Sequence, residues 1–260
     1  MPHSIEDAGT GKATKPRSEK TAIFRIMAGI GVPFMGAVSS ISVDGQQHIP
    51  ASGAFVLAPN HFSNIDPLVI GVAMYRTGRM PHYLAKASLF TIPGVGFLLR
   101  KSGQVPVERG GRSRASDPMA GARINAQQGN AIVIYPEGSL TRDPELWPMR
   151  GKSGAVRTAL EQNIPLIPAA HWGTQDLLGP YTSRIRFFPR SKIRVRFGAP
   201  VDLSEFRGRP VDPTVLTAAT AVLMRDITKL VEELRGETAP LERWDPAKHN
   251  QTEIGRIEPA

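Results

Sequence analysis

Ala54-Phe55-Val56-Leu57-Ala58-Pro59-Asn60-His61-Phe62-Ser63-Asn64-Ile65-Asp66-Pro67-Leu68 is the stretch that decides how this chain is read. Ala54–Ala58 is short, apolar and stopped by Pro59, the pattern of a buried strand. Beyond it, His61 and Asp66 stand five positions apart. On a continuous helix that spacing is about 500° of rotation, which leaves the two side chains about 140° out of line. They meet only if the chain turns between them. Phe62-Ser63-Asn64 has the chemistry of a turn, because Ser and Asn hydrogen-bond the local backbone. Pro67 suits the first turn of a helix and pushes Asp66 away from helical angles. The expected arrangement is a strand that delivers His61 to a sheet edge and a turn that brings Asp66 back to its ring.

Such a pair is a general base. A neutral imidazole, titrating near about pH 6.5, takes a proton from a hydroxyl. A carboxylate on its other nitrogen sets the tautomer and steadies the imidazolium. With no cysteine and no Gly-x-Ser-x-Gly elbow in the chain, the attacking group would be the substrate's own hydroxyl. Both residues also fit plain structural roles, Asp66 as a helix cap and His61 as a hydrogen-bonded core histidine. The motif alone leaves both readings open.

Around this centre, a chain of 260 residues is long enough to bury a large core as one α/β domain. Absence of cysteine removes disulfides and thiolate metal ligands and is compatible with a reducing compartment. A net charge of +9, carried mostly by arginine, predicts an anionic partner such as phosphate or lipid headgroups. Residues 1–20 are polar and basic and are expected to be disordered. Ile26–Val43 is uncharged, yet Gly29, Gly31, Pro33 and Gly36 interrupt it. It is expected to form a helix, or broken helices, lying on the domain or in the membrane interface. Because the apolar part starts late, no cleaved signal peptide is expected.

Asp66–Gly78 reads as a helix with an Asp cap and a Gly stop, and Pro81–Ala85 as a second strand ending beside Lys86. Ser88–Lys101 is conspicuously apolar, and Arg76, Arg79, Lys86, Arg100 and Lys101 edge it. That segment fits either plain core or a patch that docks on anionic lipid. Gly103–Arg109 reads as a short strand ending in an arginine before the flexible Gly110-Gly111. Residues 114–129 are expected to form a helix with Met119, Ala122 and Ile124 towards the core. Ala131–Tyr135 is the clearest buried strand and runs into Pro136-Glu137-Gly138-Ser139, where open α/β sheets bind ligands. Gly151-Lys152-Ser153 is no phosphate loop, since Leu146 stands where that motif requires glycine. Ile164–Ala170 is a further strand. Arg184–Phe188 and Lys192–Phe197 suggest a half-exposed hairpin at the sheet edge, its basic face solvated. No RNA-binding signature is present, and no nucleic-acid partner is expected. Asp212-Pro213 opens a long amphipathic helix through Leu234, closed by Gly236, and 237–260 read as a loosely held tail.

Four blocks thus stand in order: Asn60–Asp66, Gly103–Arg109, Tyr135–Ser139 and Ile164–Pro168. Together they resemble the lysophosphatidate acyltransferase (PlsC-like glycerolipid acyltransferase) family over about residues 50–200. The resemblance implies one α/β domain with a mixed, mostly parallel sheet flanked by helices, over 46–236. A membrane-associating helical segment over 21–45 would precede it, placing the protein peripherally or monotopically on the cytoplasmic face of the cell membrane. It implies transfer of an acyl group from acyl-CoA or acyl carrier protein to a lysophospholipid, with neither cofactor nor metal. His61 and Asp66 would be the catalytic dyad, Arg109 would grip the acceptor's phosphate, and Glu137, Gly138 and Ser139 would shape its pocket. The family's third block usually reads Phe-Pro-Glu-Gly-Thr-Arg-Ser, whereas Leu140 here stands in the arginine's place. Arg142 is the expected substitute, and Lys86 and Lys152 are further candidates for phosphate contacts. The alternatives are the same chemistry on another acceptor, such as glycerol 3-phosphate, or a basic membrane-binding protein without catalysis.

Overall fold

Phe55–Pro59 is a strand with every residue buried, as a strand hydrogen-bonded on both sides and covered on both faces must be. The computed structural model describes Glu19, residues 21–107 and residues 119–252. In chain order the elements are α1 (Ala22–Val38), β1 (Ser39–Asp44), β2 (Phe55–Pro59), α2 (Asp66–Arg76), β3 (Pro81–Lys86) and α3 (Val95–Lys101). There follow β4 (Val105–Val107), α4 (Ala120–Gln127), β5 (Ala131–Val133), α5 (Gly154–Glu161), β6 (Leu166–Trp172), α6 (Thr174–Leu177), β7 (Ser191–Phe197) and α7 (Pro213–Arg235). The seven strands form one sheet in the order β1-β7-β6-β2-β5-β3-β4. Five neighbouring pairs are parallel and only β6–β7 is antiparallel. The sheet is the mixed, mostly parallel one expected.

Side chains alternate across β2 and divide the core in two. Val56 and Ala58 face Ile132, α5 and α7 on one side. Phe55 and Leu57 face Val133, α2 and the end of α1 on the other. Helices therefore cover both faces, and the C-terminal ends of β2, β5 and β6 are left to build a site. Helix α7 has the predicted limits. The Asp212 side chain accepts the Val215 N–H at 2.8 Å, Pro213 occupies the first turn, and Gly236 ends the helix at φ +73°.

Several expectations need correction. Arg184–Phe188 is no sheet strand; its only pairing there is an isolated bridge from Ile185 to Leu178. β7 has the expected alternation but lies inside the sheet, between β1 and β6, because Ser39–Asp44 supplies the edge. The apolar segment over 21–45 thus divides: α1 runs unbroken through Pro33, and the rest is strand. Ile124 is 55% exposed, so only Ala122 of that pair packs inward. Arg79 is no rim cation. It is buried, its guanidinium paired with Glu19 at 2.5 Å and donating to the Gly53 and Gly129 carbonyls. The segment after 236 is held as far as residue 252: Ala239 N–H donates to Glu232, Arg150 N–H donates to Trp244 O, and Trp244 stacks on His249. The expected tail over 1–20 lies outside the described residues except for Glu19. Among the described residues no helix is long and apolar enough to cross a membrane.

One turn at the end of the sheet where β2 leads to His61 tolerates only glycine. Gly173, directly after β6, has φ +101°, and a Cβ there would lie 2.1 Å from the Lys192 carbonyl oxygen of β7. Gly208 has a comparable φ of +75° with nothing near it. Gly173→Ala should therefore cost at least about 2–3 kcal/mol, against about 1 kcal/mol for Gly208→Ala. Thermal unfolding of the two variants tests this; equal losses would mean that the contact with β7 relaxes freely.

Candidate active site

β2 ends at Pro59, and the next seven residues form the turn anticipated from the spacing. Asp66 Oδ2 accepts the Phe62 N–H at 2.9 Å and the Ser63 N–H at 2.8 Å, and lies 2.9 Å from His61 Nδ1. A carboxylate can only accept, so Nδ1 carries the proton and Nε2 is the basic nitrogen. Asp66 opens α2, but Ile65 occupies the cap position. Its carboxylate therefore closes the turn rather than capping the helix. Burial opposes its ionisation, yet His171, His61 and the Ser63 N–H outweigh that and hold the carboxyl below its ordinary range. The fully buried carboxylate is anionic and faces an imidazole at the rim of the sheet.

Residues far away in sequence hold His61 in place. Its N–H donates to Glu137 Oε1 at 2.9 Å, and its carbonyl accepts the Thr141 N–H at 2.7 Å. Glu137 Oε2 accepts the Met149 N–H at 3.0 Å. Both carboxylate oxygens are thus used internally, and Glu137 joins the segment after β5 to the histidine backbone. On the other side, Asn60 and His171 of β6 clamp each other: His171 N–H donates to Asn60 Oδ1 at 2.9 Å, and Asn60 Nδ2 donates to His171 O at 3.2 Å. His171 Nε2–H donates to Asn60 O at 3.0 Å and lies 3.5 Å from Asp66 Oδ2. Desolvation lowers the pKa of His171 despite Asp66, so it serves as a neutral donor. The Tyr135 ring stacks on His61 with centroids 4.1 Å apart. Sequence reasoning missed His171, whose ring is recruited by a strand more than a hundred residues from the dyad. It quoted Tyr135 and Asn60 only as members of blocks.

The other candidates disperse. Gly138 turns the chain at φ +73°, with the Lys152 side chain packed over it. Ser139 is buried, its Oγ donating to Leu140 O at 3.2 Å. Arg142 is buried with its guanidinium over the Tyr181 ring at 5.0 Å, and Leu140 is buried as well. Lys86 is exposed at the C-terminal end of β3, the sheet end that carries His61. Arg109 lies outside the described residues. A further cation comes from the docked C-terminal segment: Arg243 is partly desolvated and feels the Glu137 carboxylate. Among the described residues no group of three or more His, Cys, Asp or Glu is placed to hold a metal. Beside α2 lies an apolar cavity of about 220 Å³, lined by Phe24, Met27 and Val32 of α1, Leu68 and Val72 of α2, and Leu99 of α3.

Burial pushes Glu137 up to about 8, against the pull of the Met149 and His61 N–H groups. Between the ordinary value of 4.5 and about 8 the native state keeps a proton that the unfolded chain has lost. Its contribution to stability is therefore full below that window and is lost as pH rises through it. Glu137→Gln does not titrate. The melting-temperature difference, wild type minus variant, should shrink from pH 5 to 8 and level off above; a constant difference would show that Glu137 does not keep this proton.

A family profile described as Acyltransferase matches residues 40–172, which contain the dyad, Glu137 and His171. A 1-acyl-sn-glycerol-3-phosphate acyltransferase of Bacillus subtilis is 30% identical over 199 residues, covering 75% of this chain and 89% of the relative. One from Saccharomyces cerevisiae is 26% identical over 62% of this chain, which spans about half (51%) of that relative's length. In three dimensions the chain matches the crystal structure of the 1-acyl-sn-glycerophosphate (LPA) acyltransferase PlsC from Thermotoga maritima. The TM-score is 0.60 at 22% identity, over 84% of this chain and 81% of that one, a likeness of fold. A buried dyad at the C-terminal end of a mixed sheet, in a chain matched this widely, places the protein in the PlsC-like acyltransferase family, among acyltransferases of the 1-acyl-sn-glycerol-3-phosphate type.

Proposed function

We propose that this chain moves a fatty acyl group from a thioester, on CoA or acyl carrier protein, to the free hydroxyl of lysophosphatidate, giving phosphatidate. The observation that carries the mechanism is the 2.9 Å contact from His61 Nδ1 to Asp66 Oδ2, which leaves Nε2 as the base. Nε2 takes the proton of the acceptor hydroxyl while that oxygen attacks the thioester carbonyl. Collapse of the tetrahedral adduct breaks the C–S bond, and the imidazolium returns the proton to the departing sulfur. Asp66 holds the tautomer and offsets the imidazolium charge; it need not take the proton itself. The Glu137, Thr141 and Asn60 contacts keep the imidazole from drifting, and placement within an ångström matters to rate.

Substrate binding follows from the surroundings. The cavity between α1 and α2 is apolar and adjoins the helix that carries Asp66, which suits a fatty chain. Lys86 and Arg142, with Lys152 and Arg109, are the proposed cations for the acceptor's phosphate, and Gly138 and Ser139 shape its approach. Glu137 serves by positioning His61 rather than by touching the acceptor. Because Leu140 is buried where the family's arginine stands, the phosphate falls to these other cations. That departure supports a second reading, the same transfer onto glycerol 3-phosphate or another lysolipid. Work on such acceptors is proposed to occur at the cytoplasmic face of the membrane, without cofactor.

General-base assistance is worth about 10²- to 10⁴-fold, so His61→Ala should lose at least about a hundredfold in kcat while remaining folded by circular dichroism. Turnover within tenfold of wild type would remove His61 from the reaction. Mass spectrometry of the products from purified protein, mixed acyl-CoAs and acyl carrier protein thioesters, and a panel of lysolipids should show phosphatidate as the main product. A different acylated product would reassign the acceptor.

A further inference from the structure

Residues 184–190 carry three arginines, Arg184, Arg186 and Arg190, and between them stand two aromatic rings in open solvent. Phe187 is 57% exposed and Phe188 86%. Such side chains on a monomer surface mark a contact. Their place in the fold says which end of the molecule makes it. β7 runs antiparallel to β6, with Arg194 opposite Trp172, so Ser191 lies beyond the C-terminal end of β6. β1 starts level with β7, Ser39 opposite Ser191. The 184–190 loop therefore enters the sheet, and α1 leaves for it, at the end where β2 delivers His61. Direct links agree. Ser63 Oγ, inside the dyad turn, donates to Leu178 O at 2.6 Å, and Leu178 bridges to Ile185. Arg190 donates to the Gly36 and Ser39 carbonyls, fastening the loop to the end of α1. Helix α1 in turn presents Ile30, 70% exposed, and Phe34 outward. An outward apolar stripe and an aromatic pair are thus joined into one surface beside the site.

From this we infer that the Phe187-Phe188 loop is a second membrane anchor: its rings enter the interface of an anionic bilayer while Arg184 and Arg186 pair with lipid headgroups. Anionic lipid is chosen over a protein partner because three arginines, Arg184, Arg186 and Arg190, stand beside the rings against a single acid, Asp176, in the groove that Arg184 and Arg186 share with Phe188. A bilayer rewards that pattern, apolar rings at the headgroup–acyl boundary with arginines at headgroup level. The consequence is orientation: the catalytic end of the sheet faces the leaflet from which a water-insoluble acceptor must come. This inference rests on the lipid-acceptor reading, but its test is one of binding and does not require turnover.

The full chain carrying Phe188→Trp would be titrated with vesicles of phosphatidylglycerol and phosphatidylcholine while indole emission is followed. Emission should start at a solvent-exposed wavelength and move to the blue on anionic vesicles. In sedimentation with the same vesicles, Phe187→Ser with Phe188→Ser should lower the partition coefficient about tenfold or more. Arg184→Gln with Arg186→Gln should lower it about tenfold on anionic vesicles and leave neutral phosphatidylcholine vesicles unaffected. Either pair lies on the surface, so melting temperature should hold. Unchanged emission at saturating lipid, or a serine pair that partitions like wild type, overturns the anchor. Emission already blue in lipid-free buffer, and dependent on protein concentration, also overturns it, because the loop would then be covered by a second copy. Absence of acyl transfer to detergent-dispersed acceptors would instead sink the enzymatic reading and leave the vesicle result standing.

Discussion

One oxygen atom, Oδ2 of Asp66, closes the turn on which the rest of the site depends. A fully buried carboxylate is costly unless it is met by donors, and removing one partner of a buried charge pair typically costs about 3–5 kcal/mol. Here two backbone N–H groups and a histidine N–H converge on Oδ2, while the buried Oδ1 meets no donor, so the contacts that bend the chain offset part of that cost. The consequence is that conformation and charge cannot be separated. An Asp66 that is ionised holds the loop, and a loop that is held presents Nε2 of His61 outward.

Geometry of this kind needs rigid neighbours. Central strands supply them: β2 lies between β5 and β6, and each sends a clamp across. From the segment after β5 comes Glu137, bonded to the backbone of His61; from β6 comes His171, interlocked with Asn60. Three of the buried ionisable groups, Asp66, Glu137 and His171, are driven in different directions by their surroundings. Two histidines and an N–H pull Asp66 down, burial lifts Glu137, and burial lowers His171 despite the nearby carboxylate. One anion is therefore singled out next to the His61 imidazole, the arrangement that a base cycling between neutral and charged forms requires.

The same end of the sheet gathers apolar surface. The 88–101 segment after β3, which read equally as core or as patch, leaves Leu89, Ile92, Val95 and Phe97 exposed. It follows β3, whose C-terminal end points the same way as that of β2. Chemistry on a lipid needs an acceptor whose tail stays in an apolar phase while its hydroxyl reaches a polar site. Exposed aliphatic surface around a charged dyad meets that requirement.

Much of this was legible from the residues alone. The His61–Asp66 turn followed from five-residue spacing and turn chemistry, the buried strands from apolar runs, and α7 from its cap, proline and terminal glycine; each rests on neighbours close in the chain, which local stereochemistry governs. Tertiary structure decided whatever depends on pairing between distant segments. Alternation in β7 showed a strand half-covered by helices but could not reveal β1 beside it, because period two records burial and not the identity of the partner. Glu137 looked like a pocket residue until a contact across 76 positions showed it bonded to the histidine backbone. His171 had no signature at all, since a histidine in a strand acquires its role only when a distant turn places a carboxylate against it. The dyad is local and was readable; what holds it still is assembled across the sheet, and only the fold could show it.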